Sequence, residues 1–431
     1  MPISARDVPS IPQAAAADAN RRGVALHEQG RTDEAIAAFR EAIALQPGTA
    51  DLHVNLGTAL MKQGQFAQAR AEYELVLQID PGDLRAHSAM YELEQIAGHP
   101  ERALAHQRAV LDRQTIFSQI APREARSILA LMAPGDWQAN VPIDFLIDPA
   151  TTSVHKAYLR SPESAAALEP PRAGVAFTAI AQSDANEPLL HAAAQLLSRL
   201  GMPVINHPLR VLGTSRTRVY ETLRGMESVL VPQTVRKPRA ALERLEPGIE
   251  YPIVVRPVGS HAGHGLELVR DAAELKSYVT GSAATQYYVM PFIDFSLEDG
   301  YFRKYRIIVV DGVPYPYHLA ISPRWMIHYY NAPMRENAWM RDEERTFLDD
   351  FPSVFGPDLQ RALCKIAQAL GLEYFGIDCS IDRRGRLVLF EADPAMIVHA
   401  ADDPNLFGYK IPAAQRIFAA FERLVDRARS G

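Results

Sequence analysis

Cysteine is almost missing from this sequence. Cys364 and Cys379 are the only two in 431 residues, too few for a disulfide framework or a cysteine-based zinc site, and the chain suits a reducing compartment. No run of about 18 apolar residues occurs, so a membrane-spanning helix is not expected. Met1 to Ser10 carries Arg6, Asp7 and two prolines and lacks the apolar stretch of a secretory signal; the expected location is the cytoplasm. Positive charge is not in excess either. Forty-five Lys+Arg against 51 Asp+Glu leave a formal net charge of -6, which argues against nucleic acid as a partner, although a local basic groove remains compatible with it. With 48% hydrophobic and 22% charged residues, most of the chain must fold, and its length calls for two or three domains.

What is present first is a repeat. Gly23 and Gly57, Ala35 and Ala69, Phe39 and Tyr73, and Pro47 and Pro81 all stand at one and the same spacing, and Gly30, Gly64 and Gly98 extend that period to a third unit. The period is about 34 residues, room for two short helices and their turns. Each unit reads as such a helix pair. The small residues let the helices approach, Phe39 and Tyr73 fill the space between them, and Pro47 and Pro81 stop the second helix. The pattern resembles the tetratricopeptide repeat. The third unit, about residues 84–117, departs from it, with Tyr91 where glycine is expected and Gln107 where an aromatic is. A helix near Arg123 to Met132 is expected to cover its open face. The resemblance implies a concave peptide-binding groove lined by Asn20, His27, Thr58, Lys62 and Ser88. Docking onto the rest of the chain, or homodimerisation, is the alternative role for the repeats.

Beyond residue 125 short apolar runs alternate with helical patterns. Asp144 to Ile147 reads as a short strand, Arg160 to Pro171 as a loop, Gly174 to Ile180 as a buried strand and Glu187 to Leu200 as an amphipathic helix, together a small open parallel sheet. Thr214 to Gly225 reads as a helix carrying Arg216 and Arg218. Ile253 to Pro257 reads as a strand, and Asp311-Gly312 and Asp382 to Gly385 mark two hairpins.

The second hairpin carries the sharpest chemical signal. With a four-residue loop at 382–385, Asp378 lies diagonally across from Glu391, and Glu391 and Asp393 share its face. Three carboxylates then converge among Ile377, Leu389 and Phe390. Their repulsion would be relieved by divalent cations, and oxygen-only ligands indicate Mg2+ or Mn2+. Arg256-Pro257 ends a strand and leads into a loop with Gly259, Ser260, Gly263 and Gly265, whose backbone can wrap phosphates. Lys304 and Arg306 present two positive charges on one strand face. Met290 to Ile293, with Met290 and Phe292, can offer hinge backbone groups to a flat heterocycle.

In this order the pieces resemble an ATP-grasp carboxylate–amine ligase, such as the D-alanine ligases and the ribosomal-protein glutamate ligases. The likeness covers roughly residues 125–425. It departs at Arg256, where the family has lysine, and at Asp393, where it has asparagine. The resemblance implies a multidomain chain: a disordered tail over 1–15, a helical tetratricopeptide-repeat domain over 16–122, an α/β pre-ATP-grasp domain over 123–212 and an α+β ATP-grasp domain over 213–431. It implies ATP with Mg2+ or Mn2+ on Asp378, Glu391 and Asp393. Arg256, Lys304 and Arg306 would clamp phosphate and acyl oxygens. Arg218 would contact ATP from its helix, with Arg216 as competitor. Arg324, His328 and Asn331 would meet the substrate, and His328 would either accept the amine proton or be a plain surface-loop histidine. The expected activity is ATP-dependent amide formation on a peptide or protein held by the repeats. The same chemistry on a small amino acid or metabolite, a phosphoryl transfer, and a non-catalytic nucleotide-binding scaffold are the alternatives.

Overall fold

The computed structural model describes residues 11–244, 250–260, 263–329 and 331–430. It divides into two compact units: the described residues up to Thr115 with Pro134–Trp137, and Ile116–Ala133 with the described residues from Gln138 onward.

The first unit is helical: α1 (Ile11–Glu28), α2 (Thr32–Leu45), α3 (Ala50–Lys62), α4 (Phe66–Ile79), α5 (Leu84–Ile96) and α6 (Pro100–Leu111). Gly30, Gly64 and Gly98 follow the first helix of each pair at φ 76°, 76° and 74°, the left-handed position that ends a helix at least cost in glycine. A Cβ on Gly23 would lie 2.5 Å from the Phe39 ring, and one on Gly57 2.8 Å from Tyr73. The glycine–aromatic pairing of the repeat is therefore a close helix contact. In the third pair Tyr91 and Gln107 replace that contact with polar ones. The Tyr91 hydroxyl and the Gln107 amide both donate to the Gly135 carbonyl, at 2.7 and 3.1 Å. Of the expected tail 1–15, residues 1–10 lie outside the described residues, and 11–15 are helical.

In the second unit the first sheet contains β1 (Ile116–Gln119), β2 (Arg126–Met132), β3 (Thr152–Tyr158), β4 (Val175–Thr178) and β5 (Val204–Ile205), in the order β1-β3-β2-β4-β5. β2, β3, β4 and β5 run parallel and β1 is an antiparallel edge. Three expectations are corrected here. Residues 126–132 are a central strand, not a helix covering the repeats: a run buried on both faces has no amphipathic period to separate the two states. Residues 143–145 form a 3-10 turn rather than a strand. The loop expected over 160–171 contains a short helix, Pro162–Ala166, begun by Ser161 in a capping box. The sheet begins at residue 116, before the boundary expected at 122.

The second sheet is β7 (Val235–Pro238), β8 (Ile253–Pro257), β9 (Glu267–Val269) and β10 (Gln286–Pro291), in the order β7-β10-β8-β9 and antiparallel throughout. The third has the order β12-β11-β13-β14-β6, from β6 (Val229–Leu230), β11 (Phe302–Val310), β12 (Val313–Ser322), β13 (Tyr374–Ile381) and β14 (Leu387–Asp393). Asp311 and Gly312 both have positive φ, 55° and 75°, as a two-residue hairpin turn requires. One apolar cluster runs from Leu129, Leu131 and Leu190 of the first sheet and its helix to Ile307, Phe375 and Ile377 of the third. This shared core gathers the spans 123–212 and 213–431, expected as two domains, into one unit. Phe421 of the helix Ile411–Ser430 stacks edge-on against Phe177 and Tyr374 on the other side of the core.

Candidate functional site

A cavity of about 690 Å³ lies in the second unit between the second and third sheets. Val254, Arg256, Gly263, Leu266 and Met290 to Ile293 form one wall, and Lys304, Arg306, His318, Asp378, Glu391 and Asp393 the other. The loop after β12 contributes Trp325 to Tyr329 and Asn331. A smaller pocket of about 60 Å³ adds Gly259 and Ser260, and both cavities are lined by Arg216, Glu391 and Asp393.

Two β-bulges set the charged wall. One falls between Arg306 and Ile307 in the β11–β12 pairing, the other between Asp378 and Cys379 in β13–β14. The second, with a five-residue loop, places Asp378 directly opposite Glu391 rather than diagonal to it. Across β11 and β13, Arg306 pairs with Asp378. Its Nε and Nη2 donate to Oδ1 and Oδ2 at 2.7 and 2.9 Å, while Lys304 Nζ reaches Oδ2 at 3.1 Å. Burial by itself would raise the Asp378 carboxyl. Arg306 and Lys304 outweigh it and hold the group well below the usual carboxylate range. Burial likewise opposes the charge on Arg306, and Asp378 restores it.

Glu391 and Asp393 are balanced differently. Arg216 Nη2 meets Glu391 Oε1 at 2.5 Å. Asp393 accepts a backbone bond from Ala395 at 2.8 Å. Burial, then the neighbouring Glu391, pushes its carboxyl up to about 6. Two adjacent carboxylates with an incomplete counter-charge, offering only oxygen, fit a hard cation such as Mg2+ or Mn2+. The closed three-carboxylate cage is not formed: among the described residues no group of three His, Cys, Asp or Glu side chains is gathered to hold a metal. Asp378 spends both its oxygens on Lys304 and Arg306.

Arg256 ends β8 almost fully buried, at 5% exposure. Its Nε donates to Ser260 Oγ at 3.2 Å and its Nη2 to the Ser260 carbonyl, so it ties down the start of the glycine loop. Burial, then Arg216, brings its guanidinium down to about 10. Gly259, Gly263 and Gly265 all have positive φ. Gly263 is the tightest, since a Cβ there would run into His328 Nε2. The loop residues His261 and Ala262 lie outside the described residues. Gly265 lines neither cavity; it packs on Pro257, and its carbonyl accepts from Tyr278 at 2.6 Å. Met290 and Phe292 line the cavity, with Phe292 edge-on to Trp325.

His328 lines the cavity, and burial, followed by Lys304, lowers its imidazole pKa. Asn331 lines it too, and its Oδ1 accepts from the His328 amide at 2.8 Å, fixing the loop. Two expected contacts fall elsewhere. Arg324 is exposed and lines neither cavity. Arg218 is exposed, 3.8 Å from Glu187, while Arg216 faces Glu391. Two positions on a helix are about 200° apart, so only one of the two can face the cavity. His318 was not expected. It pairs with Arg306 across the first bulge, and its Nδ1 is buried without a partner among the described residues. Burial, then Arg306 and Lys410, keeps it neutral.

In the helical unit, Asn20 accepts from Asn55 at 2.8 Å and Lys62 Nζ reaches the His27 carbonyl at 3.5 Å. Thr58 and Ser88 donate to carbonyls of their own helices. No helix among the described residues is long and apolar enough to cross a membrane.

Comparison with known proteins bears on both units. Residues 26–93 match the tetratricopeptide repeat family model. No curated protein matches the chain. Among solved structures, D-alanine–D-alanine ligase from Bacillus anthracis complexed with ATP is similar over 71% of this chain and 99% of its own, at 15% identity and a TM-score of 0.47. A RimK domain ATP-grasp protein from Sphaerobacter thermophilus is similar over 68% of this chain and 98% of its own, at 18% identity and a TM-score of 0.42. The tetratricopeptide-repeat domain of Arabidopsis OM64 covers 23% of this chain and 84% of its own, at 21% identity and a TM-score of 0.23.

Proposed function

We propose that this chain is an ATP-dependent carboxylate–amine ligase of the ATP-grasp type, acting on a peptide or protein that the helical repeats hold. The observation that carries the reading is the inter-sheet cavity, where Arg256 on one wall faces Lys304, Arg306, Asp378, Glu391 and Asp393 on the other, beneath a glycine loop. Such a site suits a triphosphate: fixed cations and backbone amides meet its oxygens, and the apolar strip at Met290 and Phe292 receives a flat base.

In this reading Arg256 fixes the glycine loop over the phosphates through Ser260. Lys304 and Arg306 orient the transferred phosphoryl group and the substrate carboxylate. Mg2+ or Mn2+ on Glu391 and Asp393, with Asp378 beside them, would neutralise charge developing on the phosphates. The substrate carboxylate takes the terminal phosphoryl group of ATP, releasing ADP. The amine then attacks the acyl carbon and expels phosphate. His328, kept neutral by burial and Lys304, accepts the proton that the amine gives up. Tetratricopeptide repeats are peptide- and protein-binding scaffolds in many settings. In this reading Asn20, His27, Thr58, Lys62 and Ser88 would supply the polar groups that meet a peptide backbone.

The test is incubation of the full chain with ATP, Mg2+ and panels of peptides and amines. Stoichiometric ADP, phosphate and an adduct heavier by the acyl group are expected. ADP release without an adduct, or no ATP consumption across the panels, would remove the ligase assignment.

A further inference from the structure

The third helical repeat holds a pair of histidines that the ligase chemistry does not use. His87 on α5 and His106 on α6 turn Nδ1 toward Nδ1 at 2.8 Å. The rings are tilted by 48° with centroids 5.1 Å apart. His87 Nε2 lies 3.0 Å from the Pro81 carbonyl. A carbonyl can only accept, so His87 Nε2 carries a proton, and in the neutral ring Nδ1 is left with a lone pair aimed at His106.

The preceding repeat builds the same cradle. His53 is the counterpart of His87 one period earlier, as Pro47 is of Pro81, and its Nε2 is directed to the Pro47 carbonyl at 2.8 Å. His53 Nδ1 meets Glu72 at 2.7 Å, and Glu72 occupies the repeat position that His106 fills in the next unit. The carboxylate of the second repeat is thus an imidazole in the third. An acceptor with a fixed charge has been replaced by a second nitrogen ligand, while the backbone carbonyl that orients the first histidine is kept. A metal-binding imidazole characteristically donates its other N–H to a carbonyl or carboxylate, fixing the tautomer and the ring plane.

We propose that His87 Nδ1 and His106 Nδ1 form a binding site for an imidazole-preferring divalent transition cation, of the class of Zn2+, Ni2+ or Cu2+, bridging α5 and α6. When the cation binds, neutral His106 changes tautomer: the proton it holds on Nδ1 passes through solvent to its own Nε2, freeing Nδ1 as a ligand, so both rings stay neutral and no net proton is released. Zn–N bonds of about 2.0–2.1 Å require the two nitrogens to open to about 3.4 Å for tetrahedral coordination, a change of side-chain torsion rather than of helix position. Water fills the other positions, because no third His, Cys, Asp or Glu completes a set among the described residues. Glu94 and Arg70 also face His106, but Glu94 is committed to Arg70 and to His99. The charge of Glu94 favours a cation at the pair and that of Arg70 opposes one, and Glu94 does not act as a ligand. Protons compete for the same lone pairs, so affinity falls as the pair protonates. This inference does not depend on the ligase reading.

The experiment is calorimetric titration of the full chain with Zn2+ alone, in excess Mg2+ to occupy oxygen-donor carboxylates. One equivalent is expected in the wild type and in His191→Gln, whose histidine is exposed on the helix Glu187–Leu200. His87→Gln and His106→Gln should each weaken that equivalent by about tenfold or more, with helix content by circular dichroism unchanged. Should a variant misfold, Co2+ added to the wild type gives the second readout. Paramagnetic shifts should fall first on the ring protons of His87 and His106. Equal Zn2+ binding in the wild type and both variants, no Zn2+ binding at all, or Co2+ shifts on other histidines instead would overturn the site.

Discussion

Arg306 and Asp378 face each other from neighbouring strands as a two-pronged ion pair, with bonds of 2.7 and 2.9 Å. Asp378 is 4% exposed, and its remaining cationic partner is Lys304. Removing one member of such a pair leaves a charge stranded in a poor solvent, at about 3–5 kcal/mol. Arg306→Met should lower the urea midpoint of the second unit accordingly, and Arg306→Met/Asp378→Asn should recover part of the loss. Equal midpoints for wild type and Arg306→Met would show that the pair is not a structural necessity.

The glycine loop supports a comparison between two positions. Gly259 and Gly263 have similar positive φ, 80° and 74°, so alanine strains the backbone at both by about 1 kcal/mol. Only at Gly263 does the new methyl strike a side chain, that of His328. Gly263→Ala should therefore depress kcat well beyond Gly259→Ala, by about tenfold or more if His328 must sit within a fraction of an ångström. Steady-state kinetics on the two variants decides it, and indistinguishable kcat values would remove His328 from the reaction.

Arg216 and Arg218 differ by two positions on one helix and by nearly everything in their surroundings. Arg216 meets Glu391, whereas Arg218 stands in solvent near Glu187. Arg216→Ala should cost about a hundredfold in kcat/KM for ATP, the scale of one lost electrostatic contact in a water-poor site. Arg218→Ala should stay within about twofold. The reverse ranking would restore the family-based assignment of Arg218.

In the helical unit, Gly57→Ala places a methyl 2.8 Å from the Tyr73 ring. Overpacking of this kind costs about 1–3 kcal/mol, partly offset by the roughly 1 kcal/mol that alanine gains over glycine within a helix. A lower thermal midpoint is expected by circular dichroism, and Gly57→Ala/Tyr73→Leu should recover it. A raised midpoint for the single variant would mean that the two helices are not in tight contact.

The features legible in the sequence were those written in residue type and order. The period of the helical repeat, the acids on the last hairpin, and the glycines after Pro257 required no knowledge of register. What escaped depended on offsets. Counting back from the Asp311-Gly312 turn pairs Arg306 with Tyr317; the bulge moves it to His318 and brings that imidazole into the cavity wall. The same kind of bulge moves Asp378 from Phe390 to Glu391. A bulge inserts one residue and reverses the side-chain alternation beyond it; Pro316, beside the first bulge, is the kind of residue that marks one, whereas the second has neither glycine nor proline at the register shift to announce it. Tyr91 and Gln107 looked like decay of the repeat, yet both hydrogen-bond the Gly135 carbonyl, a partner far along the chain that local periodicity cannot supply.

Asp393 carries the clearest pH dependence. Burial and Glu391 raise its carboxyl to about 6, above an ordinary aspartate near 3.9. The folded protein therefore holds this proton more tightly than the unfolded chain does. Ionisation opposes folding, and the penalty is absent below about pH 4 and complete above about pH 6. Cation binding has the opposite preference, because the cation requires the ionised form. Mg2+ affinity should then fall by up to about tenfold per pH unit below pH 6. Asp393→Asn cannot ionise at this position. It should be more stable than wild type at pH 8, equal to it near pH 4, and should lose the part of the Mg2+ pH dependence that Asp393 contributes. Magnesium titrations from pH 5 to 8 and urea midpoints from pH 4 to 8 measure the two effects. If wild type and Asp393→Asn gave parallel curves in each, the carboxyl would already be ionised and compensated, and Glu391 alone would have to account for the site's hold on a cation.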